Sequence, residues 1–248
     1  MNLLQNDHST LSRQDWDLLS NILHAHDAID IFSTTKQLLE SHSMLPLKVR
    51  SKPTVALSLH QQFFASLLPF LQRTKFFHEL SPDACEELIQ NNIKIFGMFH
   101  GDFIIRGVNG MDYPAFRASL RALYAGDVEQ ICQAFTLRLD FDSALIKLLL
   151  MILAFSTNCG IVSFDSPKVY SIIGNSLSIM KVQNIITSVC WKYLLYKYGL
   201  AVAVKKFDCH IKYIVDLLQG SYEQEKLQSI QAVYKMIDAT KQTLAITN

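Results

Sequence analysis

The sequence holds few residues that interrupt a helix, with 9 glycines and 6 prolines in 248 positions. Glycine weakens a helix interior through backbone entropy, and proline removes a hydrogen bond and clashes with the preceding turn. With so few of either, long helices are the default wherever apolar residues recur at three-to-four spacing. Charge is scarce as well, at 18% of residues against roughly 25% in ordinary soluble domains. The 23 basic and 22 acidic residues nearly cancel. That leaves no clustered basic face of the kind nucleic-acid binding needs. The densest basic group, Lys48, Arg50 and Lys52, falls in one loop and reads as a solvated segment.

Cysteine pairs are also absent. Cys85, Cys132, Cys159, Cys190 and Cys209 are isolated and odd in number, and no C-x-x-C pair exists. This excludes a zinc finger. Four of the five sit in apolar helical text and read as small buried hydrophobes, which suits a reducing compartment. No apolar run approaches the ~20 residues of a membrane span. The most apolar stretch, Leu148 to Phe155, is two turns long and edged by Lys147. The string MNLLQNDHSTLSRQD turns polar too early for a secretory leader. The expectation is a soluble chain of the nucleus or cytoplasm, neither secreted nor transmembrane.

Catalytic constellations are missing in the same way. There is no Gly-rich phosphate loop, no H-E-x-x-H and no nucleophile with a base at fixed spacing. His24 and His26 with Asp27 invite a metal, but residues two apart on a helix point to different faces. No enzyme, cofactor or metal is expected.

What is present is apolar text, 50% of the chain. It must fill a large core, a cavity or a partner surface. Ser12 can cap a first helix whose stripe is Trp16, Leu19, Leu23 and Ala25. Residues 42–53, HSMLPLKVRSKP, form a loop between two prolines. A helix from Thr54 is expected to kink or stop near Leu68, ahead of Pro69. Ser81-Pro82-Asp83 is a strong helix start. That helix runs to about Arg106, and Gly107, Asn109 and Gly110 end it, with a short turn or β-hairpin over 108–113. Helical text returns at 114–124, 127–139 and 142–156. Residues 157–176 form a second long loop. Helices 177–198, 200–220 and 222–244 complete an all-α chain of about ten to twelve helices. Nothing divides residues 1–248 into two domains.

Asp102 lies among Met98, Phe99, Phe103, Ile104 and Ile105. A buried carboxylate needs a partner. Two readings stay open: a structural pair with Arg106 one turn on, or a polar anchor at the end of an apolar ligand cavity. The cluster Phe63, Phe64, Phe70, Phe76 and Phe77 could line a cavity or fill one.

The string Phe70 to Gln90, FLQRTKFFHELSPDACEELIQ, resembles the signature of nuclear receptor ligand-binding domains at Phe70, Phe77, Leu80, Leu88 and Ile89. Asp142 with Ala144 to Lys147 resembles that family's eighth helix. Lys206-Phe207 with Ile211, Ile214 and Leu217 resembles the start of its tenth, and Trp16 to Asp27 its first. The resemblance implies a three-layer helical sandwich without the DNA-binding half, and indirect regulation of transcription. It implies a pocket wall of Leu59, His60 and Phe63 facing Gly97, Met98, Gly101 and Asp102. The two glycines would leave room for a small lipophilic ligand. It further implies a homo- or heterodimer contact through Lys206, Phe207, Ile211, Ile214 and Leu218. The departures fall on the coactivator groove. Gln72 and Gln90 stand where the family carries cations, and the tail ATKQTLAITN contains no acid. The alternative implied is a ligand-free dimerisation module with the receptor frame and no coactivator switch.

Overall fold

The computed structural model describes residues 11–124, 128–139, 141–156, 176–224 and 231–246. Among them lie twelve α-helices and one 3₁₀ turn, with no strand. In chain order these are α1 Arg13–Asp27, α2 Ile31–Ser43, α3 Leu47–Arg50, α4 Thr54–Ala65, α5 Leu67–Gln72, α6 Lys75–His78 and α7 Pro82–Gly107. After the 3₁₀ turn Gly110–Asp112 come α8 Pro114–Tyr124, α9 Val128–Arg138, α10 Ser143–Ala154, α11 Ser176–Gln224 and α12 Gln231–Ile246. The all-α expectation therefore holds.

The caps explain the boundaries. Ser12 accepts from the Asp15 amide at 3.2 Å, and Asp15 accepts from the Ser12 amide at 2.8 Å, which closes a capping box on α1. Ser81 caps α7 through the Ala84 amide at 3.3 Å, with Pro82 in the first turn. Pro69 behaves differently from expectation. The break comes at Ser66, not Leu68, so Pro69 sits in the first turn of α5. The first amides of a helix have no intrahelical acceptor, and proline is tolerated there. The β-hairpin at 108–113 is not formed. Asn109 takes a left-handed conformation, φ 51°, and leads into the 3₁₀ turn.

On α1 the stripe is rotated from its expected place. Leu19, Ile22, Ala25 and His26 are buried, while Trp16 stays 42% exposed at the rim. Its ring meets Tyr196 edge-on at 5.4 Å.

Helix α7 is the hub. At 26 residues it is about 39 Å long. It packs against α2, α4, α9, α10, α11 and α12, and buried apolar side chains from most of these helices merge into one core. Helix α10 is covered on all sides from Leu145 to Met151, including Lys147 at 4% exposure. Lys147 reaches the Asp27 carboxylate at 2.5 Å. Helix α11 has two arms joined at Gly199, whose φ of 71° and ψ of 166° only glycine adopts readily. The expected division at 198–200 falls there. The second expected loop, 157–176, and Cys159 lie almost wholly outside the described residues.

Candidate ligand pocket and partner surface

Helix α4 packs on α7, and across that contact Phe63 meets Gly101. Leu59 is fully buried, Phe63 is 3% exposed, and His60 and Met98 are half-buried. The space beside the glycines is occupied. A Cβ on Gly97 would lie 2.3 Å from the Phe64 ring, and one on Gly101 would lie 2.9 Å from the Phe63 ring. These glycines admit aromatic rings from the facing helix. The aromatic cluster fills the interior: Phe63, Phe64, Phe70 and Phe77 are buried and Phe76 half-buried.

Most polar groups of this region hydrogen-bond to one another, and His26 Nδ1 is buried without a hydrogen-bond partner. His60 donates from Nδ1 to the Ala56 carbonyl at 2.6 Å and accepts at Nε2 from the Tyr124 hydroxyl at 2.6 Å. Burial holds its pKa below the ordinary value, against that carbonyl bond. A second pair joins α1 to α7. His26 Nε2 and His100 Nε2 are 3.0 Å apart, and His100 Nδ1 lies 3.4 Å from the Phe63 carbonyl. A carbonyl only accepts, so His100 Nδ1 carries the proton and its Nε2 accepts from His26. Burial lowers the pKa of His100 to about 4 and that of His26 to about 2. Both rings are neutral at physiological pH. His24, by contrast, is exposed.

Asp102 is not paired with Arg106. Its partner is the Tyr213 hydroxyl from the second arm of α11, which donates to Oδ2. The turn of α7 that carries Asp102 faces α11, and the phenol comes closer than the flexible arginine. Burial raises the Asp102 pKa to about 7, with the tyrosine bond opposing it.

Gln72 is exposed at the end of α5, and Gln90 is half-buried on α7. The seam between α5 and α7 is lined by Leu67, Leu68, Leu71, Leu88, Ile89 and Phe96 and leaves only about 10 Å³. That is about one water. A larger open cleft of about 540 Å³ lies elsewhere, between α1, α6 and the first arm of α11. Gln14, Asp17, Asn21, Lys75, Phe76 and Ile185 line it. The acid-free tail, as far as Ile246, continues α12, which packs on α4 and α7.

The second arm of α11 presents two apolar faces. Ala203, Tyr213, Ile214 and Leu217 turn inward and are buried. Leu200, Val204, Ile211 and Val215 turn outward, at 65%, 50%, 42% and 53% exposure. Phe207 and Leu218 sit half-buried between the two faces. Of the five expected contact residues, Ile211 is on the outer stripe and Phe207 and Leu218 flank it. Ile214 belongs to the core, and Lys206 lies 4.5 Å over the Tyr198 ring. The sequence reading missed Leu200, Val204 and Val215. With Ile211 they are spaced by four, seven and four residues, the helical repeat that identifies them.

Another feature the reading did not foresee is the set of groups around Asp142. This carboxylate caps α10 through the Leu145 amide at 3.3 Å. It also accepts from Tyr193 at 3.0 Å, Lys197 at 3.1 Å and Tyr198 at 2.6 Å, all on the first arm of α11. Burial pushes its pKa up, but these bonds outweigh that and hold it below the ordinary value. Burial and the neighbouring carboxylate raise the Tyr193 phenol to about 12, against its bond from Lys197.

Comparison with known proteins finds no matching family model and no matching curated sequence. Functional assignment therefore rests on the residues themselves.

Proposed function

We propose that the chain is a protein-interaction module with a receptor-like, three-layer helical frame, and that it pairs through the outer face of α11. The observation that carries this reading is the exposed stripe Leu200, Val204, Ile211 and Val215. Solvated helix faces are ordinarily polar, and a contiguous apolar stripe on one marks a contact surface. From Leu200 to Leu218 the stripe runs about 27 Å. Two such arms laid together supply the centre of an interface of the usual ~800 Å² per partner. Lys205, Asp208 and Lys212 edge the stripe with both signs of charge, as an interface rim requires. The order of helices and the Phe70–Gln90 string support the receptor-like frame. The pocket filled by Phe63 and Phe64, the near-closed α5–α7 seam and the neutral Gln72 and Gln90 speak for a module without a ligand-gated coactivator switch. Any effect on transcription then passes through the paired partner.

The test is native mass spectrometry with sedimentation analysis of wild type and the Val204→Glu/Ile211→Glu variant. The expected outcome is a wild-type dimer, a monomeric variant and unchanged helical circular dichroism. A wild-type monomer that carries a co-purified lipid would refute the proposal and support ligand sensing through the α4–α7 wall.

A further inference from the structure

The loop between α2 and α4 carries apolar side chains outward. From Met44 to Thr54 every residue is exposed except Arg50, which is half-buried. Met44 is 86% exposed and Leu47 is 73% exposed, with Leu45 and Val49 exposed beside them. No residue of α3 is buried. The segment is nevertheless ordered. The Pro46 carbonyl accepts from the Val49 and Arg50 amides at 2.8 and 3.1 Å, and the Arg50 guanidinium donates to the Ser43 carbonyl at 3.3 Å. At the far end Ser119 donates to the Lys52 carbonyl at 2.6 Å and ties the loop to α8. A fixed projection that holds four aliphatic side chains in water has something to insert them into.

The charge carried by the projection itself is positive. Lys48, Arg50 and Lys52 lie within the projection, and no acid occurs in the sequence between Glu40 and Glu79. Helix α3 packs on α8, which seats the projection against the body of the molecule. In a chain of net charge +1, positive charge is gathered at one place around aliphatic tips.

We propose that this projection docks on the surface of an anionic lipid bilayer. Met44, Leu45, Leu47 and Val49 enter the boundary between headgroups and acyl chains, and Lys48 and Lys52 meet the lipid anions. This is peripheral attachment. Among the described residues no helix is long and apolar enough to cross a membrane. A bilayer fits better than a nucleic acid, because residues 44–54 hold no aromatic side chain to stack on a base. It fits better than a helical peptide, because such peptides seat in grooves and this surface projects.

Vesicle co-sedimentation tests the proposal, using phosphatidylcholine alone and phosphatidylcholine mixed with phosphatidylserine. The intact chain is expected on the mixed vesicles only, and released by high salt. Lys48→Ala/Lys52→Ala is expected to weaken binding about 30-fold, at roughly one charge contact for each lysine. Met44→Glu/Leu47→Glu is expected to abolish it. All four side chains are exposed, so circular dichroism should be unchanged. No binding to mixed vesicles overturns the proposal. So does equal binding by the glutamate variant, which would mark simple attraction of opposite charges. Capture of single-stranded RNA or polyglutamate in place of vesicles would assign the face to that partner instead.

Discussion

Asp142 and Asp102 each tether one arm of α11 to the rest of the molecule, and they do so in different protonation regimes. Asp142 meets the first arm through two phenols and an ammonium and also caps its own helix. Asp102 meets the second arm through a single phenol. Asp142 is buried and Asp102 half-buried. Four donors hold the first charged, whereas a single donor leaves the second with a pKa near 7. A buried carboxylate is thus fixed or titratable according to how many donors its neighbours supply. The arm that carries the outward stripe is the one held by the titratable bond.

The largest effect should come from Asp142→Ala. It strips the cap and leaves Tyr193 buried without its acceptor, at a cost of about 3 kcal/mol. Urea unfolding measures this. A loss below ~1 kcal/mol would mean that the Asp142 cluster adds little to the hold on the first arm.

The pH dependence separates the two carboxylates next. The Asp102 pKa is raised from 3.8 to about 7, so its contribution is full at low pH and is lost as pH rises through that range. The His26–His100 pair acts in the opposite sense. These pKa values fall from 6.5 to about 2 and about 4, so stability is lost as pH drops below 6.5. The two trends oppose each other between pH 4 and 6.5. Asp102→Asn should therefore make stability climb more steeply with pH, reaching about 2 kcal/mol above wild type at pH 8. Equal urea midpoints for variant and wild type at pH 8 would count against a protonatable tether.

Gly199→Ala probes the joint between the arms. A Cβ there meets no neighbour, so the cost of about 1.5 kcal/mol is backbone strain alone. The same variant should shift the dimer equilibrium only if the arms swing. Lys192→Ala should matter least. It breaks a partly exposed pair with Asp15 at 2.9 Å, worth about 0.5 kcal/mol. Thermal melts at low and high salt would check it.

Much of the frame was legible in the sequence. Ser12 and Ser81-Pro82 mark helix starts by local hydrogen bonding, and Gly199 marks the joint because few other residues adopt its conformation. The candidate site was less legible. Gly97 and Gly101 suggested room, and only the approach of α4 shows that rings take it. Asp102 had Arg106 at the right helical spacing, yet Tyr213, 111 positions away in sequence, is its partner. The cluster at Asp142 was not legible at all, because three of its partners come from 51 to 56 residues along the chain.

The sequence by itself determined what depends on neighbours in the chain: helical character, caps, breaks and the scarcity of charge. Tertiary structure decided which face of each helix is covered and which donors reach each buried acid. Three-to-four periodicity says that a helix has an apolar side, but Ile214 and Ile211 share that side. Only the position of α11 against the core separates the isoleucine that packs inward from the one left facing water.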